Sequence, residues 1–195
     1  MSVVSLDLKT TRVFDRNKDS KAKIVINKGG CRATKSFSIE QLLLLNRFIN
    51  ERNKQILVVR KTLPSLRQTG YKVWKDWMRD FGLTGIIREE KQYLNYYYNG
   101  NYLHFSGLDD PGKAQSTEWN YIWMQEAVDF DYEDYNILKL RLSAPSTDGE
   151  RNQLFMCFNP IDEYHWIKTQ VIDKGVDDFE EIHSTYKDNP FLSED

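Results

Sequence analysis

Short apolar runs that alternate with helical stretches are the feature that most constrains the fold of this chain. Apolar runs rich in β-branched or aromatic residues predict strands at 22–27, 55–60, 121–127, 153–160 and 179–186. Helical spacing of apolar residues predicts helices at 35–54, 64–83, 131–142 and 163–173. Strands joined through helices run parallel and are covered on both faces. The sequence therefore predicts an α/β fold with a mostly parallel central sheet flanked by helices.

One segment departs from this alternation. Residues 92–107 place Asn99 and Gly100 between two aromatic runs. An Asn-Gly pair favours the two-residue turn of a β-hairpin, because both positions tolerate positive φ. We expect an antiparallel hairpin here, beside the parallel strands.

Composition indicates a folded globular chain that is expected to form a single domain over residues 1–195. The chain is 40% hydrophobic and 13% aromatic, and its length suits one large core. No apolar run approaches the roughly 20 residues that span a bilayer, and the N-terminus lacks the apolar region of a signal peptide. We therefore expect no membrane partner. Neither the two cysteines nor the three histidines have metal-ligand spacing, which predicts free thiols in a reducing cytoplasm and structural imidazoles: Cys31, Cys157, His104, His165 and His183.

Charge is divided unevenly along the chain. Residues 1–80 carry 18 Lys and Arg against 7 Asp and Glu, whereas residues 81–195 carry 9 against 22, although the net charge is only −2. This asymmetry is typical of a surface that faces a polyanion or a complementary subunit. The alternative is that the two halves interleave in one fold and largely cancel.

The stretch NKGGCRATKSFS at 27–38 resembles a phosphate-binding loop. The common pattern is G-x-x-x-x-G-K-[ST], and this chain has Thr34 where the second glycine stands. The order strand, loop, helix suits anion binding by backbone N–H groups at a helix N-terminus. Lys35 is predicted to contact the β- and γ-phosphates, and the Ser36 hydroxyl to ligate Mg²⁺. A chance Lys-Ser pair after glycines is the alternative.

A second element of such a site is an acidic residue at the end of a later strand. The run YIWMQEA ends in Gln125 and Glu126. Glu126 is predicted to act as the base for an attacking water, while Gln125, an amide, brings no negative charge to a metal. The alternative is a surface Gln-Glu pair after an edge strand.

Taken together, these motifs resemble the ATPase domain of the large terminase subunit, the DNA-packaging motor of tailed bacteriophages. The likeness covers nearly the whole chain and is carried by GGCRATKS, VVRKTLPSLRQTGY, FSGLDDPGKAQS, YIWMQEA, CFNP with HWI, and HSTYKDNPFL. The resemblance implies a P-loop NTPase fold of the RecA-like (ASCE) class, with ATP and Mg²⁺ as cofactors. Thr34 and Gln125 are departures from the family pattern.

The resemblance also implies residue roles. It assigns the nucleotide to residues of the loop and to the end of the acidic strand: Gly29, Gly30, Cys31, Ala33, Thr34, Lys35, Ser36 and Gln125. Arg32 and Glu126 become catalytic, with Arg32 placed at the γ-phosphate. Asn159 falls in the motif that couples loss of the γ-phosphate to motion. The alternatives are a salt bridge at the loop rim for Arg32, and an ordinary strand terminator for Asn159.

Partners are likewise implied by the resemblance. Lys113 and Gln115 lie where relatives carry a basic residue that reaches the ATP of a neighbouring subunit. Basic side chains at 60–79 are expected to meet DNA phosphates, a neighbouring subunit or only solvent: Arg60, Lys61, Arg67, Lys72, Lys75 and Arg79. The aromatic residues of the same stretch, Tyr71, Trp74 and Trp77, are expected in the core. The implied partners are double-stranded DNA, the portal protein, the small terminase subunit and other copies in a ring on the procapsid, in the host cytoplasm.

The family's large subunit continues into a nuclease domain, and residues 179–195 are expected to lead toward it. We therefore expect an N-terminal ATPase fragment, monomeric when isolated and without nuclease activity. Two alternatives remain open from the sequence. One is a nucleotide-binding scaffold with little hydrolysis, favoured by Thr34 and Gln125, and the other is a P-loop ATPase outside packaging.

Overall fold

The computed structural model describes residues 6–108, 117–146, 148–159, 162–175 and 178–192. Within these ranges the strands form one eight-stranded sheet with the order β3-β4-β5-β2-β6-β7-β1-β8. Their bounds are β1 Ile24–Gly29, β2 Gln55–Arg60, β3 Arg88–Glu90, β4 Asn95–Tyr98, β5 Asn101–Gly107, β6 Tyr121–Met124, β7 Gln153–Phe158 and β8 Phe179–Ser184. Across the sheet, every neighbouring pair in the run β5-β2-β6-β7-β1-β8 is parallel. The pairs β3–β4 and β4–β5 are antiparallel. The predicted α/β class is confirmed.

The helices cover both faces of this sheet. Their bounds are α1 Arg12–Asp19, α2 Lys35–Glu40, α3 Phe48–Asn50, α4 Leu63–Gln68, α5 Gly70–Asp80 and α6 Tyr132–Leu140, with π-helical segments at Gln41–Arg47 and Ile167–Ile172 and 3-10 turns at Ala127–Asp129 and Tyr186–Asp188. The first π-helical segment joins α2 to α3, so the predicted helix at 35–54 is present and ends at Asn50. No helix in the described part of the chain is long and apolar enough to cross a membrane.

The predicted helix at 64–83 is broken at Thr69. Thr69 leaves helical geometry (φ −118°, ψ −109°), and its Oγ1 lies 2.9 Å from the carbonyl oxygen of Ser65. The next residue is Gly70, where a Cβ would stand 2.5 Å from Nε2 of Gln125 and would displace that side chain. Tertiary contact with the end of β6 therefore divides one helical pattern into α4 and α5.

One α-helix and one strand were not predicted. Helix α1 is short and polar, and Thr11 caps it by accepting from the N–H of Phe14 at 3.0 Å. The strand β3 pairs with β4 and extends the predicted hairpin outward. The hairpin turn itself is confirmed, with Asn99 and Gly100 at φ 53° and 79°.

Alternate residues of the parallel strands face two separate apolar cores. Val25 of β1 belongs to the core under α2, α3 and α5, whereas its neighbours Ile24 and Ile26 belong to the core under α6 and the second π-helical segment. Trp74 is fully buried in the first core, and Tyr71 and Trp77 pack against it. The aromatic residues of α5 are thus core residues, as predicted.

The uneven charge along the sequence is balanced in the fold. Strands β1 and β2, from the basic half, each lie between two strands from the acidic half. Ion pairs join the halves, including Lys28–Glu181, Lys54–Asp148, Lys61–Asp134 and Lys75–Glu89. The interleaving alternative accounts for much of the asymmetry.

Candidate active site

Three adjacent parallel strands end at the same edge of the sheet, and the predicted site residues lie there. Strand β1 leads into the loop before α2, β6 is followed by Gln125 and Glu126, and β7 is followed by Asn159. The carboxyl ends of parallel strands are the usual place for ligands in open α/β sheets. The topology therefore collects residues that are more than 120 positions apart in sequence.

Lys35 is the centre of this cluster. Its Nζ donates to the carbonyl oxygens of Gly29 and Gly30, each at 2.7 Å, and to Oδ1 of Asn159 at 3.2 Å. The side chain is buried, and desolvation lowers the pKa of Lys35 below its ordinary value, although the nearby carboxylate of Glu126 opposes the shift. The ammonium group is held by neutral oxygens, which an anionic ligand can replace.

The backbone of the loop between β1 and α2 adopts two left-handed conformations. Arg32 and Thr34 have φ of 61° and 58°, in the left-handed region that favours glycine. Thr34 thus takes the conformation that the glycine of the common pattern adopts freely, and its Oγ1 is buried without a hydrogen-bond partner. We expect this threonine to cost about 1–3 kcal/mol in backbone strain.

Gly29 was predicted as part of the loop, but it is the last residue of β1. A Cβ at Gly29 would stand 2.1 Å from the carbonyl oxygen of Ser184 in β8. A glycine is therefore required here by strand packing. Gly30 has open space around its Cα, so packing does not require a glycine at that position.

A cavity of about 260 Å³ opens above Lys35. It is lined by five of the eight residues that the sequence assigned to the nucleotide, by the predicted catalytic and coupling residues, and by three residues not predicted for the site: Cys31, Ala33, Thr34, Lys35 and Ser36, then Arg32, Glu126 and Asn159, then Phe37, Cys157 and Phe158. The loop, the predicted base and the predicted coupling residue thus face one space. That volume is below the roughly 300–1,000 Å³ of sites that enclose a whole drug-sized ligand, so it fits the phosphate part of a nucleotide.

Glu126 and Ser36 line the cavity near a buried thiol. Glu126 follows β6 in a left-handed conformation (φ 53°), and Ser36 Oγ lies 3.6 Å from Sγ of Cys157. Burial raises the pKa of the Cys157 thiol, which keeps it neutral. The Glu126 carboxylate and the Ser36 hydroxyl are therefore the oxygen groups in this part of the cavity that can face a metal-bound nucleotide.

Gln125 does not line the cavity, although the sequence placed it with the nucleotide. Its Oε1 accepts from the Thr69 hydroxyl at 2.9 Å, and its Nε2 donates to Oε1 of Glu40 at 3.5 Å. Successive residues at the end of a strand point to opposite sides. Because Glu126 faces the cavity, Gln125 faces the junction of α4 and α5.

Glu40 is a buried carboxyl group that the sequence reasoning missed. Burial raises its pKa from the ordinary 4.5 to about 8, so the group is largely protonated at neutral pH. A single acidic residue between Ile39 and the leucines of an apolar helix was the available signal.

Other predicted residues lie elsewhere. Lys113 and Gln115 fall outside the described residues. Among the basic residues at 60–79, four are bonded within the chain, and Arg67 and Lys72 are exposed; the four are Arg60, Lys61, Lys75 and Arg79. Over the described ranges, no group of three or more His, Cys, Asp or Glu could hold a metal ion, so this part of the chain by itself offers no metal cage.

A family model for the phage terminase large subunit matches residues 21–195. The chain belongs to this family. The predicted resemblance is therefore confirmed. The matched residues include the loop before α2, the ends of β6 and β7, and the segment after β8.

Individual relatives are distant in sequence but alike in fold. The PBSX phage terminase large subunit of Bacillus subtilis (strain 168) is 24% identical over 140 residues, which cover 71% of this chain and 31% of that protein. The large terminase of a thermophilic bacteriophage, solved in complex with ATP-gamma-S, superimposes with a TM-score of 0.72 at 20% identity, covering 95% of this chain and 47% of that chain. The ATPase domain of the Thermus phage P74-26 large terminase superimposes with a TM-score of 0.66 at 12% identity. The superposition covers 90% of this chain and 80% of that chain.

These likenesses establish the fold as that of large terminase ATPase domains. The predicted P-loop NTPase fold is confirmed. This terminase chain spans about a third of the PBSX protein and about half of the large terminase that was solved with ATP-gamma-S.

Proposed function

We propose that this terminase chain hydrolyses ATP and that hydrolysis drives double-stranded DNA into a procapsid. The observation that carries the proposal is the convergence of Lys35, Ser36, Glu126 and Asn159 on one cavity at the ends of three adjacent strands. The large terminase of the thermophilic bacteriophage has been solved with ADP as well as with ATP-gamma-S. These complexes of a protein with the same fold support ATP as the substrate of this chain.

In this proposal the loop binds the triphosphate. The Lys35 ammonium exchanges the carbonyls of Gly29 and Gly30 for β- and γ-phosphate oxygens, and charged hydrogen bonds of this kind are about twice as strong as neutral ones. The guanidinium of Arg32 opposes the charge that develops on the transferred phosphate. Mg²⁺ would be held by the Ser36 hydroxyl, water and the phosphates, and it would neutralise phosphate charge when bound.

Glu126 serves as the general base. Its carboxylate is the acidic group among the described residues that line the cavity, and a base must lie within hydrogen-bond reach of the water it activates. Backbone strain at Glu126 is consistent with a residue fixed for catalysis.

Asn159 is the proposed coupling residue. It accepts a hydrogen bond from the same Lys35 Nζ that is to contact the γ-phosphate. Phosphate oxygens compete with Asn159 for that ammonium, so loss of the γ-phosphate returns the contact to Asn159. The loop after β7 thereby responds to the state of the nucleotide.

Larger assemblies are part of the same proposal. The partners are double-stranded DNA, the portal protein, the small terminase subunit and other copies in a ring, in the host cytoplasm, with Lys113 or Gln115 reaching a neighbour's ATP. Arg67 and Lys72 are exposed and are the side chains we expect nearest to DNA phosphates. Nuclease activity is not proposed for this chain.

A second candidate is a nucleotide-binding scaffold with little hydrolysis. It is favoured by Gln125, which supplies an amide where the family pattern has a carboxylate, and whose side chain bonds to Thr69 and Glu40. The two candidates differ in turnover and agree in binding.

Phosphate release with ATP and Mg²⁺ separates them. The ATPase proposal expects release by the wild type and at least about a hundredfold loss in Glu126→Gln, since a positioned base contributes about 10²–10⁴-fold. The matched control is Glu150→Gln, which removes an exposed carboxylate near the start of β7, at the opposite end of the sheet. ATP binding without release by the wild type would instead establish the scaffold.

A further inference from the structure

The end of strand β8 lies beside the end of β1, directly before the phosphate loop. Strand β8 pairs with β1 so that Ser184 lies beside Gly29. Because Gly29 has no side chain, the Ser184 carbonyl can approach it closely. A Cβ at Gly29 would stand 2.1 Å from that carbonyl oxygen. The segment 185–191 therefore starts directly against the loop.

Two further contacts follow in the same order along both segments. Nδ2 of Asn189 donates to the carbonyl oxygen of Arg32 at 2.9 Å. The ring of Phe191 packs edge-on against Phe37, with ring centroids 5.4 Å apart. The end of β1, the loop and the helix that follows it thus contact, in that order, the end of β8 and the segment that leaves it.

Local hydrogen bonds hold Asn189 in position. The Asp188 carboxylate accepts from the N–H of Thr185 at 2.7 Å, which closes a capping box around the 3-10 turn Tyr186–Asp188. On the other side, Oδ1 of Asn189 accepts from the N–H of Phe191 at 3.0 Å. Both ends of the Asn189 amide are therefore engaged, and its N–H is directed at the loop.

The peptide that Asn189 contacts is strained. Arg32 has φ 61°, and a residue other than glycine keeps this conformation only where its surroundings fix it. Its carbonyl accepts from Asn189, and Arg32 is an exposed residue that lines the cavity. A fixed carbonyl fixes the backbone at Arg32, and with it the direction of the Cα–Cβ bond from which the guanidinium extends.

We propose that Asn189 is a positioning residue for Arg32: its hydrogen bond to the Arg32 carbonyl aims the guanidinium at the phosphate that is transferred. This inference rests on the proposed ATPase function. It also gives the chain beyond β8 a direct connection to the loop, because movement of Asn189 releases the Arg32 peptide.

Steady-state kinetics of three variants test the proposal. Asn189→Ala removes the side chain, and Asn189→Asp keeps the oxygen that accepts from Phe191 but loses the N–H that donates to Arg32. Both are expected to lower kcat about tenfold, as misplacement of a catalytic group does, with the KM for ATP within about twofold. Lys187→Ala, in the same turn and exposed, is the matched control and should keep the wild-type kcat.

A double-mutant cycle identifies the route of the effect. If Asn189 acts through the guanidinium, Asn189→Ala in an Arg32→Ala background changes kcat by less than about twofold, because coupled residues are not additive. The same tenfold loss in both backgrounds would overturn the proposal. So would wild-type kcat in both Asn189 variants.

Amide exchange gives a readout that does not need turnover. In the nucleotide-free protein, Asn189→Ala and Asn189→Asp should speed hydrogen exchange of the amides at 30–36 and leave β7 unchanged. If the wild type releases no phosphate, the proposed ATPase function fails, and exchange still decides the contact: unchanged rates at 30–36 overturn the role of Asn189.

Discussion

Replacement of the buried acid Glu40 by glutamine should stabilise this terminase chain in a manner that depends strongly on pH. Glu40 is 6% exposed, and burial raises its pKa from 4.5 to about 8. A raised pKa means that the folded state binds the proton more tightly than the unfolded state does. Folding is therefore unpenalised below about pH 4.5, and stability is lost as the pH rises from there to about 8.

The magnitude follows from the pKa difference. At about 1.4 kcal/mol for each pH unit, ionisation of Glu40 costs the folded state about 2 kcal/mol at pH 6 and about 5 kcal/mol above pH 8, taking its pKa as about 8. Glutamine has nearly the same shape and does not titrate. Its Oε1 can still accept from Nε2 of Gln125, so the packing should be kept.

Urea unfolding followed by tryptophan fluorescence measures the effect. The free energy of unfolding of Glu40→Gln minus that of the wild type should be below about 1 kcal/mol at pH 5 and should reach several kcal/mol at pH 9. Glu150→Gln is the control, since its exposed carboxylate should give a difference that hardly changes with pH. A difference for Glu40→Gln that is the same at pH 5 and pH 9 would falsify the assignment of Glu40 as a buried neutral acid.

Three further predictions concern the loop and the end of β6. Lys35→Ala should abolish ATP binding or turnover, measured by calorimetry and phosphate release, because it removes the charge opposite the phosphates; unchanged affinity and rate would refute the loop assignment. Thr34→Gly should keep turnover and raise the free energy of unfolding by about 1 kcal/mol through relief of left-handed strain, and loss of ATP binding would indicate a direct role for the threonine. Gln125→Glu should leave the Mg²⁺ concentration for half-maximal hydrolysis unchanged and lower stability by about 1–3 kcal/mol, because it places a second carboxyl beside Glu40; a lower Mg²⁺ requirement would place Gln125 at the metal instead.

The prediction for Gln125 reverses the expectation from sequence. From the sequence, Gln125 brings no negative charge to a metal, which by itself predicts that Asp or Glu at this position would strengthen Mg²⁺ binding. The hydrogen bonds of Gln125 to Thr69 and Glu40 lead to the opposite expectation.

The sequence by itself determined most of the strands and helices of this chain, although not α1, β3 or the break between α4 and α5. Apolar runs in the sequence located β1, β2, β6, β7 and β8 to within a few residues, because the burial of a strand is reflected in its own local sequence. The Asn99–Gly100 turn followed from backbone chemistry alone, since few residues tolerate positive φ. The strand-loop-helix order around Lys35 was likewise a local property.

Only the tertiary structure decided which distant residues meet. The strand order β6-β7-β1 brings Asn159 to Lys35, a contact between residues 124 positions apart. The same packing turns Glu126 toward the cavity and Gln125 away from it, and it seats Asn189 on the Arg32 carbonyl. No local pattern records these contacts, because hydrogen bonds between distant segments depend on how strands are ordered in the sheet. Sequence periodicity reports only which face of each strand is buried.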